Sequence, residues 1–248
     1  MALEFTRPLI FVAHPDDETL ACGGLLQRMT SSAVVFATDG AAPHYGFERK
    51  FGTLKEYSEA RFQEAAQALA HVPNCSFQRL TKPDGSHFVD EHLFHNLRDA
   101  VHSLCAIARA WSPDALLSHA YEGGHIDHDA CSFIARHAAA ALSIPCFEFP
   151  LYYDGPDGKS IFQKFRDAGP APLEWHLTEV EIACRRKMLA AYKTQPGLDA
   201  IFQLATERIR PADHANFSVA PCRKYPYENR WRRLPSRALL KKFAEFTG

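Results

Sequence analysis

Two short stretches hold residues whose types and spacing suit catalysis. "HPDD" (His14, Pro15, Asp16, Asp17) follows one apolar run, and "HIDH" (His125, Ile126, Asp127, His128) lies beyond another, far along the chain. Adjacent carboxylates repel and raise one another's pKa, so Asp16, Asp17 and Glu18 are costly at the edge of a core unless a cation or a substrate compensates them. His125 and His128 are three apart at a predicted helix start and share one face. Imidazole nitrogen and carboxylate oxygen are good zinc ligands, and a catalytic zinc takes three protein ligands and leaves a position for water. Such an ion would relieve the repulsion and lower the pKa of its water from about 15.7 towards about 7. Each motif alone has a plainer reading. HPDD fits a turn whose aspartate caps the next helix, and HIDH fits surface or packing histidines. Together, at the ends of two strands, they point to a metal site.

The elements that must position them follow from periodicity. Apolar runs over 8–14, 33–40, 75–80, 114–120 and 146–153 read as strands, and 17–29, 54–72, 90–111, 125–142 and 178–195 as helices. The alternation predicts an α/β, Rossmann-like fold with a mainly parallel sheet and helices on both faces. Ligands in such sheets sit outside the carboxyl ends of the strands. The loops 14–18, 38–45 and 119–128 should therefore gather on one rim. Residues 1–248 read as a single domain, with 154–176 as a lid loop and 221–248 as a closing segment. The basic residues of that last segment read as side chains snorkelling over the body rather than as a nucleic-acid patch.

Bulk properties exclude several classes. The chain has 248 residues, 46% of them hydrophobic and 23% charged, with a formal net charge of −1, so no strong field points to nucleic acid or membrane. No apolar run approaches the ~18–20 residues of a membrane span, and the first residues lack the features of a signal peptide. The 7 cysteines are scattered, with no CxxC pair. This predicts a cytoplasmic, reducing setting without disulfides. A homo-oligomer is compatible with the sequence.

The segments "AHPDDE" (13–18) and "YEGGHIDHDA" (121–130) resemble the two signature motifs of the PIG-L/LmbE-like zinc-dependent de-N-acetylases, which remove acetyl groups from N-acetylglucosamine-type substrates. The resemblance runs from residue 8 to about 153 and, more loosely, to "KMLAAYKTQ" (187–195). It departs at Ile126, where the family usually has proline. The resemblance implies His14, Asp17 and His128 as ligands of zinc, with iron(II) as the alternative metal. It implies Asp16 as general base, His125 as an imidazolium that stabilises the oxyanion or protonates the leaving amine, and Asp127 as the acidic neighbour that tunes His125. Arg61 and Asp84 resemble positions that bind sugar hydroxyls. Glu122 and Tyr121 are candidates for the pocket wall. His44 and His119 are candidates for the rim, although packing is the plainer reading of both. The implied substrate is a small-molecule N-acetylated sugar or glycoconjugate, with specificity in the loops 40–53 and 154–176. A non-sugar acyl amide and a non-catalytic sugar-binding relative are the alternatives.

Overall fold

The computed structural model describes residues 5–43, 48–212, 215–222, 225–228 and 236–247. Five strands run parallel: β1 (Pro8–Val12), β2 (Ser32–Phe36), β3 (Cys75–Arg79), β4 (Ala115–His119) and β5 (Cys146–Phe149). A hairpin of β6 (Tyr152–Asp154) and β7 (Ser160–Phe162) stands apart, and β8 (Leu173–His176) and β9 (Thr206–Pro211) extend the main sheet antiparallel. The seven-stranded order is β3-β2-β1-β4-β5-β9-β8. The helices are α1 (Asp17–Arg28), α2 (Glu48–Phe51), α3 (Leu54–Leu69), α4 (Leu97–Trp111), α5 (Ile126–Leu142), α6 (Glu179–Ala191), α7 (Leu198–Ile201) and α8 (Ser236–Ala244).

Period-two alternation sends side chains to two separate layers. Leu9 and Phe11 pack with α4, α5 and α8, whereas Ile10 and Val12 pack with α1, α3 and α6. Covering on both faces explains why the parallel strands read as unbroken apolar runs. From β1 the chain moves outward through β2 and β3, then returns to place β4 on the other side of β1. This reversal opens a crevice at the carboxyl ends of β1 and β4, where HPDD and HIDH begin.

Helix α1 carries the second aspartate of HPDD and is anchored by an internal ion pair. Gly23 and Gly24 sit under neighbours: a Cβ at Gly24 would meet Leu177 Cδ1 at 2.4 Å, and one at Gly23 would meet Arg185 Cγ at 3.0 Å. The fully buried Arg185 donates from Nε to Thr19 O at 3.0 Å, from Nη1 to Leu204 O at 2.9 Å, and from Nη2 to Leu20 O. Glu207 accepts from Gly24 N and Leu25 N, both at 2.7 Å, and lies 3.5 Å from Arg185.

Three segments differ from the sequence expectation. The helix read over 90–111 begins only at Leu97, after a 3-10 turn over Leu93–Asn96. Asp90 and Glu91 stay outside it because the amides of Glu91 and Leu93 bind the Asp127 carboxylate, which holds Glu91 at φ 66°. The loop expected over 154–176 instead contains β7 and β8. Its Gly/Pro/Asp content serves the turn of a hairpin, where Gly158 has φ 78° and Gly155 N bonds Lys159 O. Strand β9 had no sequence counterpart. Within the expected closing segment, α8 seals the α4/α5 face, with Phe243 stacked on Phe133 at 4.3 Å between centroids. Residues 223–224, 229–235 and 248 of that segment lie outside the described residues.

Removing one partner of a buried, hydrogen-bonded ion pair leaves an uncompensated charge, at a cost of about 3–5 kcal/mol. Arg185→Met should lower unfolding stability by about 3 kcal/mol or more, read as a shift in the urea midpoint without a change in slope.

Candidate metal centre

Strand β1 ends directly in the first motif. Ala13 N donates to His119 Nε2 at 3.1 Å, which ties the end of β1 to the end of β4. His14 N then donates to Asp17 Oδ2 at 2.9 Å. Asp16 adopts φ 123°, a left-handed conformation unfavourable for a residue with a Cβ. Its amide donates to Glu18 Oε2 at 3.1 Å, and Glu18 Oε1 accepts from Thr19 Oγ1 and from the hydroxyl of Tyr192, just beyond α6. The strained turn is thus held by a buried carboxylate that is itself held from another helix. The result places Asp16 and Asp17 side by side at the mouth of the crevice.

The second motif arrives through Glu122, Gly123 and Gly124. A Cβ at Gly124 would lie 1.8 Å from Tyr152 O, so only glycine lets this loop pass β6. Asp129 Oδ1 accepts from Glu122 N and Gly123 N at 3.2 and 2.9 Å, closing the loop onto α5. His125 caps α5, its Nδ1 accepting from Asp127 N at 3.2 Å.

Three imidazoles face one another across the crevice. Ring centroids are 4.6 Å apart for His14 and His125, 5.4 Å for His14 and His128, and 5.0 Å for His125 and His128. Asp17 lies between two of them, with Oδ2 3.5 Å from His14 Nδ1 and Oδ1 3.5 Å from His128 Nε2. Donor atoms bound tetrahedrally to one zinc at about 2.0–2.1 Å stand about 3.4 Å apart, and each Asp17 spacing is close to that, one through each carboxylate oxygen. Among the described residues, three groups of side chains bring possible ligand atoms within 4.8 Å of one another: His14, His125 and His128; Asp17, His119 and His128; and His14, Asp90 and Asp127; the expected set of His14, Asp17 and His128 is divided between the first two. His119 is a poor ligand by this edge, because its Nε2 already accepts the Ala13 amide. It stacks on His128 at 4.0 Å, the packing role rather than the rim role.

Electrostatics favour a positive charge here. Burial opposes a cation on His14, yet Asp90, Asp127 and Asp17 outweigh it and raise its pKa well above the usual histidine range. Either a proton on His14 or a divalent ion can satisfy those carboxylates. Burial brings His128 down to about 3, so its ring is neutral and its lone pair available. Asp17 is held well below the carboxylate range: burial works against the charge, but His128 and His119 overcome it. Asp16 is pushed up to about 8 by burial, against the Arg61 charge beside it.

Other residues depart from the sequence expectation. Arg61 is buried and donates to Asp16 Oδ2 at 2.9 Å, to Pro15 O at 2.6 Å and to Gly40 O at 2.7 Å. It therefore braces Asp16, and it also lines the cavity. Asp84 is exposed in a surface turn, where its carboxylate accepts from Ser86 N and Oγ, and it does not line the cavity. Glu122 is buried behind the cavity wall and accepts from Leu151 N at 3.0 Å, while Tyr121 donates its hydroxyl to Val219 O. The Asp127 carboxylate turns to the amides of Glu91 and Leu93 and to His14 Nε2 at 3.5 Å. Burial, with His14 and His128 close by, holds His125 well below its ordinary pKa, which disfavours the imidazolium expected. Asp90 escaped the sequence reading: its Oδ1 lies 3.0 Å from His14 Nε2. A carboxylate in this place would orient the His14 ring from behind if that ring held a metal. The paired acids of "VDEH" were its only signal, and the helical pattern around them hid it. His44 and the rest of 44–47 lie outside the described residues.

If His128 and Asp17 hold a metal, loss of either should remove it. His128→Ala and Asp17→Ala are expected to abolish stoichiometric zinc or iron(II) binding, measured by elemental analysis after reconstitution and dialysis, whereas Asp16→Asn retains it.

Comparison with known proteins follows the same line. The sequence model of PIG-L, described as GlcNAc-PI de-N-acetylase, matches residues 9–139. No curated protein matches. Among solved structures, the A40926 pseudoaglycone deacetylase Dbv21 is 19% identical with a TM-score of 0.65, covering 86% of this chain and 100% of its own. The zinc-inhibited form of teicoplanin deacetylase Orf2 is 18% identical with a TM-score of 0.60, covering 85% of this chain and 100% of its own. GalB, the 4-carboxy-2-hydroxymuconate hydratase from Pseudomonas putida KT2440, is 17% identical with a TM-score of 0.54, covering 79% of this chain and 81% of its own. These likenesses concern the fold, and a hydratase shares it. The motifs, the crevice they build and the family match over 9–139 agree: the chain belongs to the PIG-L family.

Proposed function

We propose that this protein is a metal-dependent hydrolase that removes the N-acetyl group from an N-acetylglucosamine-type sugar or glycoconjugate. The observation that carries the reading is the gathering of His14, Asp17 and His128 in one crevice, with Asp16 beside them and turned to a separate partner. His14, Asp17 and His128 would hold the ion. Asp90 orients His14 from behind. Zinc, or iron(II), would supply Lewis acidity at the amide carbonyl and make water acidic enough to ionise near neutral pH.

The chain's own residues supply the rest. Asp16 stays off the metal because Arg61 holds its Oδ2. Its raised pKa suits a general base working near neutrality, which must accept a proton from the attacking water and hold it. The same proton then goes to the departing nitrogen as the C–N bond breaks, leaving acetate and a free amine. His125 accepts the Asp127 amide at Nδ1, which places the proton of its neutral ring on Nε2. From the cavity wall it can donate that N–H to the oxyanion as charge develops. The 7 free thiols support a reducing, cytoplasmic setting, and no helix among the described residues is long and apolar enough to cross a membrane.

Asp16→Asn should lower kcat by about 10²-fold or more, with metal content unchanged. The assay is acetate and amine release from a panel of N-acetylated sugars by metal-reconstituted protein. A protein that binds the metal and releases neither product from any of the panel would overturn the reading. Product detection also separates it from hydration chemistry on the same fold.

A further inference from the structure

The chain leading towards α8 passes behind the second motif. Phe217 packs on the Tyr121 ring at 4.8 Å between centroids, and the Tyr121 hydroxyl donates to Val219 O at 3.2 Å. Gly123 has φ 76°, and a Cβ there would meet Pro221 Cγ at 3.2 Å, Cys222 Sγ at 2.6 Å and Tyr225 Cδ1 at 3.3 Å. One segment thus presses with three residues on the glycine two positions before His125. Tyr225 and Tyr227 are buried in the same layer as α4, α5 and α8, with ring centroids 4.9 Å apart, and Pro226 between them lines the cavity. Glu228 then accepts from Ser236 N at 2.9 Å and from Ser236 Oγ, which ties the segment to the start of α8.

Asp129 is where this segment meets the turn that presents His125. Its Oδ1 accepts the amides of Glu122 and Gly123, and its own amide donates to His125 O at 3.1 Å, so one residue holds the turn at both ends. The carboxylate is fully buried. Burial pushes its pKa up, against the Gly123 and Glu122 amides and the Tyr227 hydroxyl, which stabilise its charge. Neither Asp129 Oδ2 nor the Tyr227 hydroxyl has any other hydrogen-bond partner among the described residues, and buried polar atoms left unpaired are costly. The two satisfy one another. The Tyr225 hydroxyl turns to Tyr121 instead.

We infer that Tyr227 is a positioning residue for His125: through Asp129 it fixes the 122–125 turn from behind, so that the imidazole on the cavity wall keeps one orientation and one tautomer. The part His125 plays in turnover rests on the de-N-acetylase reading, whereas its placement does not. Without the hydroxyl, the Asp129 carboxylate is left to backbone amides alone, and the turn that those amides define loosens. His14 and Asp17 are held separately, at the end of β1. The support comes from beyond residue 139, past the stretch that matches the family.

The test is Tyr227→Phe in the zinc-reconstituted full chain, which keeps the ring and its packing on Tyr225, with the melting temperature recorded as a check on folding. Proton–nitrogen correlation spectra of the imidazoles, with His125 assigned by its loss in His125→Ala, should show the Nε2–H tautomer in wild type. In Tyr227→Phe the His125 nitrogen shifts should average between the two tautomers. Turnover should fall about tenfold in kcat, with KM and zinc content unchanged. Adding Tyr227→Phe to His125→Ala should lower kcat no further, because the two act as one unit. A His125 pattern that Tyr227→Phe leaves unchanged overturns the inference, as do losses that multiply in the double variant. Absence of product from every N-acetylated sugar overturns the de-N-acetylase reading instead, and the His125 spectrum then still decides the inference.

Discussion

The structure around the crevice answers to one electrostatic cost, the burial of four carboxylates, Asp16, Asp17, Asp90 and Asp127, close to one another. Unpaired carboxylates in such a place would neutralise or push the chain apart. Each is compensated in a distinct way. Asp16 meets the Arg61 guanidinium, Asp17 meets imidazoles and the His14 amide, Asp90 meets His14, and Asp127 meets two amides of the 89–93 turn. The compensation sorts the carboxylates by chemistry. Asp17 is left ionised between imidazoles, while Asp16 is left more basic and paired with Arg61.

That sorting requires the backbone to be held against its own preferences. Asp16 sits in a left-handed conformation that costs of order 1–3 kcal/mol. It persists because Glu18 binds its amide and Tyr192 binds Glu18. Arg185 and Glu207 hold the first turns of α1 from α6 and β9 in turn. The antiparallel extension of the sheet, which carries no candidate catalytic group, thereby fixes the position of the residues that do. Gly124 does the equivalent on the other side, where the approach of Tyr152 O leaves no room for a side chain.

The fold and the centre of the site were legible to different depths. Period-two alternation and apolar runs are local signals, so the five parallel strands and the rim that collects their loops could be read directly. The histidines and aspartates of the two motifs were legible because metal chemistry restricts both residue type and spacing. Asp90 was hidden, since an amphipathic helix pattern covers its neighbourhood and only the Asp127 carboxylate, far along the chain, stops the helix from starting there. Arg61 is legible as a site residue, but its partners at positions 15, 16 and 40 depend on how α3 docks. Asp84 had the composition of a turn and is a turn.

The sequence by itself therefore determined the layered α/β architecture, the crevice and the residue types able to grip a divalent ion, because these follow from periodicity and from ligand chemistry within a few residues. Only the tertiary structure decided which carboxylate pairs with Arg61, which one backs His14, and that burial lowers the pKa of His125. Those outcomes depend on burial and on partners many residues away, and no local pattern carries the distance between them.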